Sequence, residues 1–120
     1  MIKALVFMSR KDGISRQEFI DYYEGRHTAL VRRVFPTIGD YRRNYLVFDE
    51  KHQAYDEEQP SDHPGFDVVT EISFASEGDW QAFLGHMATP ELIDEIAADE
   101  SNFMDRSKHR FFRVDEFASG

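Results

Sequence analysis

Hydrophobic and polar residues follow two different periods along this chain, and these periods predict strands and helices in turn. Apolar residues alternate with the period of two that is typical of strands in four segments. In the first segment both faces are mostly apolar, so we expect a strand that is buried on both sides. The four predicted strands cover residues 2–9, 41–48, 66–75 and 107–114.

The longest pattern with a helical period covers residues 15–34. Ser15 is followed three residues later by Glu18, which is the spacing of a capping box at a helix start. Apolar residues then recur at every third or fourth position, and His27, four residues after Tyr23, lies on the same side. We therefore expect one amphipathic helix whose buried stripe contains a histidine. The apolar positions of this stripe are Phe19, Tyr23, Leu30 and Val34.

Two further helices are predicted after the third strand. Ser76 is a suitable N-cap with Asp79 at the capping-box distance, and apolar residues follow at helical spacing. Thr89 followed by Pro90 is typical of a helix start, because proline is tolerated in the first turn. This second start predicts a short helix that runs through Ile96.

The predicted elements follow one another in the order β-α-β-β-α-β, within a single domain of residues 1–120. This order indicates an α+β, ferredoxin-like fold, in which a four-stranded antiparallel sheet carries both helices on one face. The other face has no cover within one chain although it carries apolar residues. We therefore expect a second copy to cover it in a symmetric homodimer. Residues 49–65 are polar and acidic, and we expect a long loop there.

The composition narrows the range of partners. The net charge of −9 disfavours nucleic acid, because its phosphates are repelled by an acidic protein. The chain has no cysteine, which excludes disulfides and thiolate nucleophiles and fits a cytoplasmic location. The sequence shows no signal-peptide layout, and no apolar run reaches the roughly 18 residues that a membrane helix needs. We expect a cytoplasmic protein that binds neither nucleic acid nor membrane.

His27 has two interpretations that the sequence alone does not separate. In the first it is a core histidine whose ring nitrogens are satisfied by hydrogen bonds. In the second it is an acid/base or an orienting donor at a cleft, because a buried neutral imidazole both donates and accepts. The aromatic and polar side chains that we predict to bind substrate beside it are Phe7, Tyr23, Arg26 and Tyr45.

Glu71 is the second candidate catalytic residue. It lies on the mixed face of the third strand, opposite the apolar face that meets the helices, and therefore points into the cleft of a dimer. A carboxylate in that position can have a raised pKa and act as an acid or a base. The alternative is an ion pair with Arg43 or Arg110. Because His27 and Glu71 project from different sides of the sheet, we do not predict a dyad.

The acidic loop contains residue types that bind metals, but the spacing matches no standard site. These residues are His52, Asp56, Glu57, Glu58, Asp62 and His63. The sequence also contains no Gly-rich phosphate loop, nucleophile elbow or HExxH motif. We therefore predict no metal site and no bound cofactor.

Three stretches resemble the EthD family of the dimeric α/β-barrel superfamily. YYEGRHTALVRR is similar to the family's Tyr-x-x-x-Arg-His-x-x-Leu-Val segment and contains His27. VTEISFAS at residues 69–76 resembles its Ala-Glu-Leu-Trp-Phe strand, with Glu71 at the acidic position. NFMDRSKHRFFRVDEF at residues 102–117 resembles its closing Phe-x-Asp-x-Ser-x-Ser-x-Phe-Phe-x-Val-Asp-Glu pattern. The chain departs from the family at Asn44-Tyr45, where many members have Asn-His, and residues 49–65 form a longer insert.

The resemblance implies a ferredoxin-like fold, a sheet-to-sheet dimer and a small cofactor-independent enzyme. Related proteins belong to ether-degradation clusters and polyketide pathways, and they are described as oxidoreductases, monooxygenases or decarboxylases. The resemblance thus implies an apolar or aromatic, polyketide-like substrate, with His27 as acid/base or orienting donor and Glu71 or Tyr45 assisting. Two alternatives are a non-catalytic dimeric protein that binds a small molecule and an accessory protein of an oxygenase system.

Overall fold

The computed structural model describes residues 1–47 and 65–120 of the chain. In this part of the chain there are four strands, β1 (Ile2–Met8), β2 (Tyr41–Tyr45), β3 (Val68–Phe74) and β4 (Arg110–Val114). They form one antiparallel sheet in the order β2–β3–β1–β4. This order and the helices packed on one face of the sheet confirm the predicted α+β, ferredoxin-like fold.

The helices pack on the side of the sheet that carries Ala4, Val6 and Met8 from β1, which we call the helix side. None of the helices in the two described ranges combines the length and apolar character needed to cross a membrane. The helical segments are α1 (Arg16–Tyr22), a π-helical turn (Tyr23–His27), α2 (Thr28–Val34), α3 (Glu77–Met87), α4 (Pro90–Glu100) and a 3₁₀ turn (Arg106–Lys108).

The predicted long helix begins as expected, but it is not a continuous α-helix. Ser15 and Glu18 exchange side-chain-to-backbone hydrogen bonds of 3.0 Å each, so both halves of the capping box are present. The helix then widens to the π-helical turn, where the backbone N–H of Thr28 donates to the carbonyl of Tyr23, five residues earlier. Tyr23 and His27 are both buried, and their ring centroids lie 5.3 Å apart. Such widened turns are frequent at functional sites.

Helix α4 is longer than the sequence predicted, because it continues past Ile96 to Glu100. Thr89 precedes it but does not cap it with its side chain, since its hydroxyl donates at 2.9 Å to a carbonyl of α3. The additional turn brings two carboxylates, Asp99 and Glu100, to the end of the helix. These carboxylates turn out to face the buried histidine.

The fourth strand is shorter than predicted, because the residues before it form the 3₁₀ turn. Asp105 closes this turn by accepting hydrogen bonds from the backbone N–H and the hydroxyl of Ser107, at 3.0 and 2.6 Å. Strand β4 then begins at Arg110. The predicted end of the second strand, Phe48, and the loop residues 49–64 lie outside the described part of the chain.

The face of the sheet away from the helices carries Leu5, Phe7 and Phe112 on adjacent strands, and we call it the outer face. Phe7 contacts Phe66 and Phe112 edge to face, with ring centroids 5.1 and 6.0 Å apart. Phe112 is nevertheless 53% exposed. The outer face is therefore a partly apolar surface, whereas the core lies on the helix side.

Two glycines give opposite expectations for substitution by alanine. A Cβ added at Gly25, in the π-helical turn, meets no atom within 4 Å, whereas one added at Gly39 lies 3.2 Å from the carbonyl oxygen of Ser73. That oxygen already accepts a 2.7 Å hydrogen bond from the Gly39 N–H. Gly25→Ala should raise the free energy of unfolding by about 0.5–1 kcal/mol, because alanine favours helix. Gly39→Ala should lower it. Urea denaturation of both variants checks this pair, and a loss of stability in Gly25→Ala contradicts it.

Candidate functional site

A cavity of about 200 Å³ lies between the helix side of the sheet and the helices. Its wall is mainly apolar, which suits an apolar or aromatic ligand. For comparison, an apolar cavity of about 150 Å³ is large enough for benzene. The apolar side chains that form its wall include Met8, Phe35, Ile72, Phe83, Met87 and Phe111.

One polar wall of this cavity is built around His27, which is 1% exposed. Its Nδ1 lies 2.9 Å from Oδ2 of Asp99. Because a carboxylate only accepts, Nδ1 carries the hydrogen of this pair, and Nε2 of the neutral ring carries a lone pair. Asp99 also accepts a 2.7 Å hydrogen bond from the hydroxyl of Tyr22, which in turn accepts one of 2.9 Å from Asn102. This network fixes the orientation of the imidazole.

Burial lowers the pKa of His27 below its ordinary value of 6.5, and the hydrogen bond to Asp99 offsets part of this effect. The imidazole is therefore mainly neutral at neutral pH. Its Nε2 lies 3.9 Å from Oε2 of Glu100, which is too far for a hydrogen bond. A core histidine would have both ring nitrogens satisfied by hydrogen bonds, but His27 meets this condition only at Nδ1. Its Nε2 can accept a proton from a bound molecule.

Glu100, the last residue of α4, lines the same cavity and is only 7% exposed. Its Oε1 accepts a 3.2 Å hydrogen bond from Nε of Arg106 in the 3₁₀ turn. Burial raises the pKa of Glu100, and Arg106 lowers it in part. The cavity thus contains a carboxyl group that keeps its proton to a higher pH than an exposed glutamate.

Hydroxyl groups form a third polar element of the wall. The hydroxyl of Tyr23 lies 2.8 Å from Oγ1 of Thr70 and accepts a 3.1 Å hydrogen bond from the hydroxyl of Tyr41. Burial raises the pKa of Tyr23 to about 12, so its phenol stays protonated at neutral pH. Tyr23 can therefore donate a hydrogen bond or position a ligand, but it is not a base.

His109 follows the 3₁₀ turn and also lines the cavity. Burial lowers the pKa of His109, and the charges of Arg106 and Arg110 lower it further. A second, mainly neutral imidazole therefore lies in the wall that contains Glu100.

The structure places two of the six predicted site residues in the cavity wall. These two are Tyr23 and His27. Tyr45 lies outside the cavity, where its hydroxyl donates a 2.5 Å hydrogen bond to Glu24. Arg26 is exposed and is not part of the wall. The binding roles of these residues stay predictions, and the geometry favours Tyr23 among them.

Phe7 and Glu71 lie on the outer face, so Glu71 and His27 do not share a pocket within one chain. Glu71 accepts hydrogen bonds from Asn44 and Lys3, at 2.9 and 3.1 Å. These two bonds lower the pKa of Glu71, which corrects the raised pKa that we expected from the sequence. Its ion-pair partner is Lys3 rather than either predicted arginine. Its catalytic role stays a prediction.

Asp99, Glu100 and His109 are site residues that we did not predict from the sequence. A signal for Glu100 was present, because Ile93, Ile96 and Glu100 follow one another at intervals of three and four. A carboxylate on an apolar stripe is the same signal that identified His27. For Asp99 and His109 we find no comparable pattern, because their positions depend on contacts between distant segments.

Among residues 1–47 and 65–120, no group of three or more His, Asp and Glu side chains is arranged to hold a metal ion. The candidate ligands His52 and His63, with their acidic neighbours, lie outside these two ranges. The prediction about a metal site in the loop therefore stays a prediction.

Comparison with known proteins gives a family match for the sequence and several similar structures. The sequence matches the EthD domain over residues 11–107, which include the long helix and the end of α4. The crystal structure of an EthD family protein from Bacillus halodurans is similar, with a TM-score of 0.62 and 17% sequence identity. The alignment covers 98% of this chain and 100% of that chain. No protein of curated function matches the sequence.

Two solved structures of enzymes also share this architecture. Hydroxynitrile lyase from Passiflora edulis has a TM-score of 0.56 and 18% identity, with 98% of this chain and 96% of that chain covered. SnoaB, a cofactor-independent oxygenase from Streptomyces nogalater, has a TM-score of 0.56 and 9% identity, with 98% and 94% covered. Dimeric proteins of ferredoxin-like fold are also among the similar structures. At these identities the similarity shows the fold alone.

The hydrogen bond between His27 and Asp99, together with burial, leads to a prediction for the pH midpoint at which the imidazole titrates. The NMR midpoint of His27 should lie below 6.5, because burial disfavours the imidazolium ion. Asp99→Asn should lower it further, because Asp99 favours the protonated ring. Asp94→Asn, an exposed change on the same helix, is the control and should leave the midpoint unchanged. A midpoint above 6.5 in the parent, or a rise in Asp99→Asn, contradicts this account of the pair.

Proposed function

We propose that this chain, which belongs to the EthD family, is a cofactor-independent enzyme that transfers a proton to or from a small apolar or aromatic molecule. The observation that carries the proposal is the position of His27. Asp99 holds its Nδ1, and its Nε2 remains available beside an apolar cavity. If His27 served packing alone, we would expect protein atoms rather than a cavity beside its Nε2.

His27 acts as the acid/base in this proposal. The lowered pKa leaves the ring neutral near pH 7, so Nε2 can take a proton from substrate and later return it. Asp99 stabilises the imidazolium that forms between these steps. General acid–base catalysis of this kind typically contributes about 10²–10⁴-fold to a rate.

The reaction can belong to the oxygenase type or to the decarboxylase type, because proton transfer occurs in both. Deprotonation activates an electron-rich substrate for direct reaction with oxygen, and protonation completes a decarboxylation. The structures of a cofactor-independent oxygenase and of a hydroxynitrile lyase have a similar fold. This similarity supports the proposal that the fold can carry out chemistry of this kind. The apolar wall supports an aromatic substrate of one or two rings.

A second candidate function is a binding protein that carries or sequesters an apolar metabolite without changing it. The mainly apolar wall favours a binding protein as much as it favours an enzyme, because the cavity alone is sufficient to bind an apolar ligand. The two candidates differ in the fate of the ligand. Mass spectrometry after a long incubation recovers the ligand unchanged if the protein only binds, and detects a product if it is an enzyme.

Ligand binding can be measured first by thermal shift with 2-naphthol, 2-tetralone and orcinol. A ligand at 100 times its dissociation constant stabilises the folded protein by about 2.7 kcal/mol. We expect at least one of these compounds to stabilise the parent and to lose most of this effect in His27→Ala and His27→Gln. The matched control is His86→Ala, since His86 lies on α3 and does not line the cavity.

Equal shifts in the parent and both His27 variants contradict a contact between His27 and the ligand. A loss of the shift in His86→Ala as well shows that the loss is not specific to the cavity. A bound ligand that is recovered unchanged supports the binding protein over the enzyme.

We also propose that the outer face closes a symmetric homodimer. Leu5, Phe7 and Phe112 form an apolar strip across the central and edge strands, and similar dimeric structures share this fold. Lys3 and Glu71 pair beside this strip, so the face also carries opposite charges that a second copy can meet.

Sedimentation of Phe112→Glu tests the dimer. Phe112 is 53% exposed in one chain, so the substitution should weaken association without unfolding the protomer. Phe117→Glu makes the same chemical change at a 94% exposed position outside the sheet, and it should leave the dimer intact. A parent protein that sediments as a monomer at micromolar concentration contradicts the proposal.

A further inference from the structure

The polar wall of the cavity contains a second proton-carrying group besides His27. Glu100 lies at the end of α4, and its Oε2 is 3.9 Å from Nε2 of His27. Both residues line the same cavity and both are buried. The distance is too long for a direct hydrogen bond, but it allows two atoms of one substrate that are separated by a single carbon to face the two groups at once.

We propose that Glu100 is a catalytic residue that acts as the general acid opposite His27, and that the substrate is an enolisable carbonyl compound with an apolar body. This inference rests on the proposed function, because it needs His27 as the base. It adds a second catalytic group and a substrate class. A ketone presents an acidic carbon–hydrogen bond and a carbonyl oxygen one carbon apart, which fits two groups at this separation.

The proton balance of the step is complete without any further reactant. Nε2 of His27 takes the proton from the carbon next to the carbonyl, and the electron pair of that bond forms the carbon–carbon double bond of the enol. The carbonyl oxygen takes the proton of the Glu100 carboxyl group. The enzyme then holds an imidazolium and a carboxylate. Transfer of a proton from His27 to Glu100 through a water molecule between them restores both.

The surroundings of the two groups support these assignments. Burial raises the pKa of Glu100 and lowers that of His27, so the two values move toward each other. The two groups therefore differ less in proton affinity than an exposed glutamate and an exposed histidine do. The charged and titratable neighbours are Arg106, which lowers the pKa of Glu100, Asp99, which raises it, and His109 on the same wall.

Arg106 makes the assignment testable. Its Nε donates at 3.2 Å to Oε1 of Glu100, and the arginine itself is half exposed. Removing its charge should raise the pKa of Glu100 without opening the core. If Glu100 supplies a proton, the limb of the pH–rate profile that Glu100 governs then moves to higher pH in Arg106→Gln. A purely structural glutamate gives no such shift.

The experiment measures deuterium exchange at the carbons next to the carbonyl of 2-tetralone and acetophenone, by proton NMR in D₂O over a range of pD. The parent should accelerate exchange over buffer, and His27→Gln should lose the acceleration. Glu100→Gln should reduce the rate by about 10²-fold and remove one limb of the profile. Glu91→Gln, an exposed change on the same helix, is the matched control and should keep the parent rate.

Glu100→Asp separates catalysis from packing, because it keeps an acid but shortens the side chain. It should recover part of the rate together with the missing limb. If the parent is active, His27→Gln is inactive and Glu100→Gln keeps both the rate and both limbs, the role of Glu100 is overturned while the proposed function stands. If the parent accelerates exchange of neither ketone, this inference is overturned, whereas the proposed function is decided separately by the thermal-shift comparison of the parent with the His27 variants.

Discussion

The hydrogen bond between Nδ1 of His27 and Asp99 is the interaction on which the rest of the site depends. It measures 2.9 Å and joins the π-helical turn of the first long helix to the end of α4, 72 residues later. The bond decides which ring nitrogen carries a hydrogen, and it thereby leaves Nε2 for the cavity. Without it, a buried imidazole has no fixed orientation and its pKa falls further.

The packing around this bond explains why the two segments meet there. Phe103 is fully buried just after α4, and its ring centroid lies 4.9 Å from that of His27. It also stacks on Tyr22, whose hydroxyl donates to Asp99. Phe103 thus packs against His27 and against Tyr22, the residue that donates to Asp99. The widened turn at Tyr23–His27 presents two buried rings, one from each end of the turn, to this cluster.

Local patterns in the sequence were sufficient for the element order and for the burial of His27. Its position four residues after Tyr23 follows from helical periodicity, and the start of the helix follows from Ser15 and Glu18. The π-helical turn was not predictable in the same way, because its sequence is compatible with an ordinary α-helix. The wide turn lies where Tyr23 and His27 both pack against Phe103, which belongs to a distant segment of the chain.

The partners of the site residues depend on how distant strands and helices align, which cannot be predicted from local sequence patterns. Glu71 pairs with Lys3 because β1 and β3 align antiparallel with Lys3 opposite Ser73 and Leu5 opposite Glu71. A shift of that register by one residue moves the pair to opposite faces. The same reasoning applies to the meeting of Asp99 with His27, which requires both the extra turn of α4 and the docking of Phe103. Residue types in the sequence therefore pointed to His27 but not to the groups around it.

The central claim is that His27 is a neutral imidazole with its lone pair on Nε2, directed at the cavity. The most direct measurement is the ¹⁵N chemical shifts of both ring nitrogens at neutral pH, before and after addition of 2-naphthol. The account predicts a protonated Nδ1, an unprotonated Nε2, and a change on ligand addition that is larger at Nε2. A ring protonated at both nitrogens, a hydrogen on Nε2, or shifts that the ligand leaves unchanged would contradict it.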